Sequence, residues 1–386
     1  MQLLRVRVPN FRALKDVDLT FEKDFVPQIF PLGSLNGGGK STLLQLIFIL
    51  LHRPDNSKWN YTQSILNHIT TNENGYAELA TFDIWDGEKT VEIIYFCKTI
   101  QAICDELEIS SLNRQRLTKY LEENKLWSVV VVGGGVDESV LSSDMNKLLL
   151  FRHSPLFGND QEQYFKFSEE SNIRVFLAAP SSQIYFFLPT EQRKSLFKID
   201  GNYNSALDQA KKSLPGFFTY DTFSVATLSS FFRTAWDKDT EQVVRTGKYG
   251  DNYPQMLREI NQIIAGKTII PRLINTTQGS RPLEKDLIDS IIFKANDGTE
   301  IYPEDLSHGE LKKLSIYAWL KANQIKDSIV LMDEIENGFH PDWQFQIVKE
   351  LEAWEPSNQY ILATHSYELC TALTPSHVKS VAAIKL

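Results

Sequence analysis

The run Gly33-Ser34-Leu35-Asn36-Gly37-Gly38-Gly39-Lys40-Ser41-Thr42 constrains this chain more than any other feature. It stands between two apolar stretches, Phe25 to Phe30 and Ser41 to His52. Consecutive glycines leave no Cβ in the way, so several backbone N–H groups can turn toward one anion. A helix opening directly behind them adds the positive end of its dipole. Lys40 can then reach a β- or γ-phosphate, and Ser41 can place its hydroxyl on Mg2+. The strict pattern asks for glycine six residues before Lys40, where Ser34 stands with Gly33 just upstream. The alternative is a glycine-rich turn ahead of a core helix. Either way the expected opening is strand, loop, buried helix, with the strand ending at Phe30 because proline is rare inside a central strand. A second Gly-Lys-Thr run, Gly266-Lys267-Thr268, has Asn261 where the first glycine belongs and follows a helix, so it is not a phosphate loop.

Three further motifs follow in order. Leu306-Ser307-His308-Gly309-Glu310 precedes a helical stretch, Leu311–Gln324. A serine and glycine there can offer a hydroxyl and N–H groups to an anion, or simply cap the helix. Ser328-Ile329-Val330-Leu331-Met332-Asp333-Glu334 reads as a buried strand ending in two carboxylates. Parallel sheets place ligands at that edge, where Asp333 can hold Mg2+ and Glu334 can act as general base. Tyr360-Ile361-Leu362-Ala363-Thr364-His365-Ser366 is another buried strand, with a histidine at its end.

The 386 residues carry a net charge of −9 and 42% apolar residues, enough for two or three globular units. The acidic balance excludes a generally basic nucleic-acid wrapper. Cys97, Cys104 and Cys370 give no disulfide framework or paired spacing and read as reduced thiols. The seven histidines form no zinc or HNH-like cluster. Arg5 and Arg7 interrupt any leader, and Leu43–Leu51 is far short of the roughly 20 residues of a membrane span, so a cytoplasmic protein is expected. Strands are expected at Leu3–Val8, Val17–Phe21, Val129–Val132 and Ile291–Ala295, and a hairpin over 76–98 turning at Asp86-Gly87. Helices are expected at Gln101–Leu126, Ser139–Phe151 and Pro254–Ala265. The organisation read from these is a first half-domain over 1–98, a largely helical insertion over 99–284, and a second half-domain over 285–386.

In this order the four motifs resemble those of ABC-type P-loop ATPases, including the SMC and RecF-like relatives. The likeness is greatest to the OLD (overcoming-lysogenization-defect) superfamily. Asp333-Glu334-Ile335-Glu336-Asn337-Gly338-Phe339-His340-Pro341 has a recognisable counterpart there, as does Leu188-Pro189-Thr190-Glu191-Gln192-Arg193. The resemblance covers roughly 1–98 and 285–370. It implies an α/β ABC-type head with a mixed sheet that binds ATP and Mg2+ and hydrolyses ATP. Asn36, Gly37, Gly38, Gly39, Lys40, Ser41 and Thr42 would hold the nucleotide, and Ser41 and Asp333 the metal. Glu334 and His365 would be catalytic. Ser307, Gly309 and Glu310 would face the nucleotide of a second copy in a homodimer or higher homo-oligomer. His308 stands where transporters usually carry glycine, and Gln63 is a candidate Mg2+ sensor by position alone.

With 20 residues after Ser366, the Toprim nuclease that many OLD proteins carry is not expected in this chain. Two readings follow. In one, the chain is the ATPase subunit of a bacterial antiphage defence pair, Septu-like or PARIS-like, and gates a separate nuclease or toxin. In the other, it is a stand-alone RecF/SMC-like ATPase of DNA repair or DNA ends, with nucleic acid as partner; Lys194, Lys198, Lys211 and Lys212 would then matter, unless they form a solvated face. No membrane partner is expected. Phe217, Phe218, Tyr220, Phe223, Phe231, Phe232 and Trp236 form either a docking surface or, more in keeping with their type, core.

Overall fold

The alternating start of the chain becomes an antiparallel pair, β1 (Gln2–Phe11) and β2 (Leu14–Thr20), turning at Arg12 with its φ of 52°. The computed structural model describes residues 1–33, 37–52, 68–128, 147–153, 173–187, 216–220, 225–264, 266–271 and 291–381, with Lys194, Lys212 and Leu214. They fall into two units, one of 1–218, 327–336 and 344–386, the other of 219–326 and 337–343. The stretch 99–284 is therefore not one inserted lobe, because its first part supplies strands to the first unit.

Two sheets build the first unit. The antiparallel sheet has the order β2-β1-β4-β5-β7-β6, adding β4 (Tyr76–Trp85), β5 (Thr90–Thr99), β6 (Trp127–Ser128) and β7 (Lys147–His153). The other sheet runs β15-β3-β14-β13-β8-β9, from β3 (Ile29–Gly33), β8 (Val175–Ala179), β9 (Phe217–Thr219), β13 (Ile329–Asp333), β14 (Gln359–Ala363) and β15 (Lys379–Ser380). Its ladders β8–β13, β13–β14, β14–β3 and β3–β15 are all parallel. Its strands β3, β8, β13 and β14 are apolar along most of their length, as parallel strands covered on both faces require. Helix α1 (Lys40–Leu51) is buried nearly all round and packs on β8, β13 and β14. Its Leu50 carbonyl accepts the Tyr95 hydroxyl of β5 at 2.6 Å, so both sheets grip it. Each fully buried Leu, Ile or Phe along it contributes about 1.5–3 kcal/mol. The Gln359 side chain joins the sheets, accepting the Leu3 N–H at 2.7 Å and donating to its carbonyl at 2.9 Å.

Three local expectations are corrected. The helix expected over 101–126 is two, α2 (Ile100–Glu106) and α3 (Arg114–Glu123), broken at Glu108 (φ 54°) and restarted by the Asn113 side chain, which accepts the Arg116 N–H at 2.9 Å. The helix expected to end at Phe151 is strand β7 where it is described. Leu148–Phe151 is an unbroken apolar run that suits either state, and pairing with β5 decides it. Pro31 lies inside β3 instead of beyond it. The Gln28 carbonyl and its alternates bond toward β14, so Pro31 turns its missing N–H the other way, where β15 begins pairing only at Leu32. The strand expected at Val129–Val132 lies outside the described residues.

The second unit contains α4 (Val225–Thr246), α5 (Asn252–Ile263), α6 (His308–Ala322) and a three-stranded antiparallel sheet, β10 (Lys267–Pro271), β11 (Ile291–Ala295) and β12 (Glu300–Ile301). Helix α6 packs on α4 and α5, with Phe231 edge-on to Tyr317 at 6.0 Å. Of the aromatics weighed for docking, Phe217, Phe218, Tyr220, Phe231 and Phe232 are buried and only Trp236 is exposed, at 51%. Phe223 lies outside the described residues.

Candidate nucleotide-binding site

Gly37 and Gly39 carry φ of +78° and +89°, a region that costs other residues about 1–2 kcal/mol. They hold their glycines for different reasons. A Cβ on Gly39 would sit 2.6 Å from Leu14 Cδ2, whereas one on Gly37 would meet nothing within 4 Å. Gly39 caps α1 without any side-chain bond, and the first turn holds no acid. The opening amides of α1 thus keep their affinity for an anion. Gly38 lies in this loop and Thr42 in the first helical turn; Asn36 lies outside the described residues, as do Gln63 and Leu188–Arg193.

Because β3, β13 and β14 are parallel neighbours, their C-terminal ends deliver the loop, Asp333 and His365 to one edge of the sheet. Ser41 Oγ donates to Asp333 Oδ1 at 3.2 Å, and Lys40 Nζ lies 3.5 Å from His365 Nδ1. Lys40 and Asp333 are buried and His365 is exposed. Burial pushes the Lys40 ammonium down in pKa, opposed by Asp333, Glu336, Cys370 and Glu334 in that order. Burial also pushes the Asp333 carboxyl up to about 7; the Ser41 bond and Lys40 pull against this, while Glu334 and Glu336 add to it.

Glu334 sits at φ 51°, with its N–H held by the Ala363 carbonyl at 2.9 Å, so the chain turns sharply where the strand ends. Sequence reasoning assigned no role to Glu336, yet it is 7% exposed and its Oε1 accepts the His365 N–H at 2.6 Å. Among the described residues its Oε2 has no hydrogen-bond partner. Cys370 is close enough for Lys40 and Glu336 to act on its thiol, which burial raises. The 29-residue separation of Glu336 from His365 leaves no local signal for that bond.

In the second unit, Ser307 caps α6 through a full capping box with Glu310. Glu310 Oε2 accepts the Ser307 N–H at 3.0 Å and its hydroxyl at 2.8 Å. Gly309 lies so close to the loop after Glu336 that a Cβ there would stand 2.7 Å from the Gly338 carbonyl. Lys312 donates to the Asn337 carbonyl at 2.9 Å and lies 4.2 Å from the Tyr220 ring centroid.

The donor set fits magnesium. Among the described residues no three His, Cys, Asp or Glu side chains converge as a metal cage. Mg2+ is satisfied by one or two protein oxygens together with phosphates and water, and the Ser41 hydroxyl beside Asp333 offers such a pair. Crowding of Asp333 by Glu334 and Glu336 gives a dication an electrostatic reason to bind there.

A family model described as "AAA domain, putative AbiEii toxin, Type IV TA system" matches residues 101–371. The chain belongs to this family. The match begins after the Lys40 loop and includes Ser307, Asp333, Glu334 and His365, and an AAA domain is an ATPase fold. As a member of this family the chain is similar to "Retron Vc95 probable ATPase" of Vibrio cholerae serotype O1 biovar El Tor, at 45% identity over 105 residues, 24% of this chain and 20% of that protein. It is also similar to "Retron Ec83 probable ATPase" of Escherichia coli, at 30% identity over 107 residues, 25% of this chain and 19% of that protein. The likeness thus spans about a fifth of each relative's length. Among solved structures, an SMC head bound to the C-winged helix domain of ScpA superposes with a TM-score of 0.44, at 12% identity over 96% of this chain and 92% of that one. The recombination mediator RecF gives 0.36, at 12% identity over 95% of this chain and 94% of that one. The α/β P-loop fold itself rests on the parallel order β3-β14-β13 with the glycine loop between β3 and α1. Among the described residues no helix is long and apolar enough to cross a membrane.

Proposed function

We propose that this chain binds Mg2+-ATP at the C-terminal edge of its parallel sheet, hydrolyses it, and works in the cytoplasm as an ABC-type ATPase subunit that gates a separate effector. The observation that carries the reading is the convergence of Lys40, Ser41, Asp333 and His365 from three neighbouring strands onto the mouth of one glycine loop. The loop amides and Lys40 would hold the phosphates, Ser41 and Asp333 would hold Mg2+, and bound Mg2+ would offset charge on the phosphate oxygens. Glu334 would take the proton of the attacking water, and His365, held by Glu336 through its backbone, would face the γ-phosphate. Ser307 and Gly309 would complete the site of a second copy, with Glu310 holding Ser307 in place through the capping box, so that ATP favours a closed homodimer and hydrolysis releases it.

Likeness to chains named as probable ATPases of retrons, and membership of a family whose description names a Type IV TA system, favour a partnered ATPase; our reading makes the setting antiphage defence and the effector a separate nuclease or toxin chain. Lys40→Ala removes a charge-assisted contact of roughly 1.5–3 kcal/mol and should abolish or greatly weaken ATP binding by calorimetry. Glu334→Gln should keep ATP binding and slow phosphate release by ~10²–10⁴-fold. Unchanged affinity in the first, or wild-type turnover in the second, removes that residue from its role. Affinity purification from the native host tests the setting. A stoichiometric protein that survives nuclease digestion and has nuclease or toxic activity supports gating; a homodimer carrying only DNA points to a RecF/SMC-like DNA ATPase.

A further inference from the structure

Lys267, in a Gly-Lys-Thr run that cannot form a phosphate loop, reaches the first turn of α6 instead. Three features fix where it starts. Gly266 turns the chain at φ +75°, the β10–β11 ladder sets Lys267 opposite Ala295, and the Asn261 side chain at the end of α5 accepts the Ile269 N–H at 2.7 Å. From there the Lys267 ammonium pairs with Glu310 Oε1. The other Glu310 oxygen is taken by the Ser307 N–H and hydroxyl, so both oxygens of this 7% exposed carboxylate are engaged.

A capping box needs no lysine when its glutamate faces water. Here the glutamate is buried at the N-terminal end of a helix, where an uncompensated negative charge would cancel the positive potential that attracts an anion. It would also hold the Ser307 hydroxyl strongly, although that hydroxyl has to turn away from Glu310 to donate to anything else. Lys267 relieves both effects. It neutralises the carboxylate without touching Ser307, and it draws off electron density that Glu310 would otherwise offer the hydroxyl.

We propose that Lys267 is a positioning residue of the composite ATP site: by neutralising Glu310 it leaves the Ser307 hydroxyl and the opening amides of α6 able to receive the γ-phosphate of ATP held by a second copy of this chain. The inference rests on the two-copy reading above. It deepens that reading by naming the charge that makes the receiving half electrically acceptable to a polyanion.

The test uses the full chain carrying Glu334→Gln, so that ATP persists. Two quantities are measured: binding of a fluorescent ATP analogue to dilute protein, and ATP-dependent self-association by sedimentation velocity. Lys267→Met should leave the first within about twofold and weaken the second by on the order of tenfold, the scale of one unit charge acting across a few partly screened ångströms. Lys267→Arg should restore association. So should adding Glu310→Gln to Lys267→Met, because a neutral amide keeps the capping bond and no longer needs a cation. Wild-type association by Lys267→Met overturns the proposal. If Lys267→Met is weak and the double variant is equally weak, lysine is a structural prop and charge compensation is overturned. If the parent does not self-associate with ATP and Ser307→Ala changes nothing, the two-copy reading falls and this inference with it; loss on Ser307→Ala alone confines the failure to Lys267.

Discussion

Asp333 makes the sharpest physical prediction, because the site holds its carboxylate at a cost in stability. It is 3% exposed, and burial raises its carboxyl from 3.8 to about 7. A group whose folded value is raised binds more protons folded than unfolded between those two values. Its contribution to stability therefore falls as pH rises from 3.8 to about 7, and the whole penalty is present above. At 1.36 kcal/mol per unit the shift corresponds to about 4 kcal/mol, an upper figure for a side chain that also accepts a bond from Ser41. Asp333→Asn keeps that acceptor and removes the charge. Without nucleotide or Mg2+, the variant should be more stable than wild type by about 2–4 kcal/mol at pH 8. The gain should shrink to about 1–2 kcal/mol at pH 5, where the folded wild type is already protonated. Urea unfolding at the two pH values measures this, while calorimetry should show Mg2+-dependent ATP binding lost in the same variant. A variant no more stable than wild type at pH 8, or a gain independent of pH, would refute the argument that Asp333 is held ionised in a poorly solvating site.

Two other outcomes follow from the geometry. Gly39→Ala should lose roughly 1–3 kcal/mol, because its Cβ meets Leu14 as well as the strain of a positive φ, whereas Gly37→Ala should cost only the strain; equal urea midpoints for the two would contradict this. Glu336→Ala should lower the rate of ATP hydrolysis with little change in ATP affinity, because the His365 N–H loses its acceptor, and Glu336→Gln should recover most of that rate by keeping one. A Gln variant as slow as the Ala variant would mean that the charge, not the bond, is what matters.

The elements that frame the site were legible because their signals are local. The glycine loop opening onto Leu43–Leu51, the apolar runs Ile329–Met332 and Tyr360–Ala363, and the Asp86-Gly87 hairpin each need only neighbours in sequence to be read. What escaped reading depends on distant partners. Leu148–Phe151 carries no period that separates strand from helix, and only β5 makes it a strand. Pro31 is tolerated in β3 because of the direction in which its missing donor points, a property of the ladder and not of the residue. Glu336 gains its partner 29 residues away and Lys267 its partner 43 residues away, so neither spacing carries a motif. Lys267 lacks the loop that phosphate binding needs, and its position against Glu310 serves a different chemistry.

The short end strands of the parallel sheet bear on how copies of this chain can meet. Among the described residues, the parallel sheet finishes on one side in a two-residue strand, β15, whose Lys379 is tied to Glu22 at 2.5 Å, and on the other in the three-residue β9. Behind β15 the next backbone position on β3 has no hydrogen to donate. Pro31 is itself buried, and among the described residues the two ends of the sheet are these short strands, one means by which soluble sheets resist growing into one another. Among the described residues, the central sheet therefore offers copies of this chain little edge to pair along.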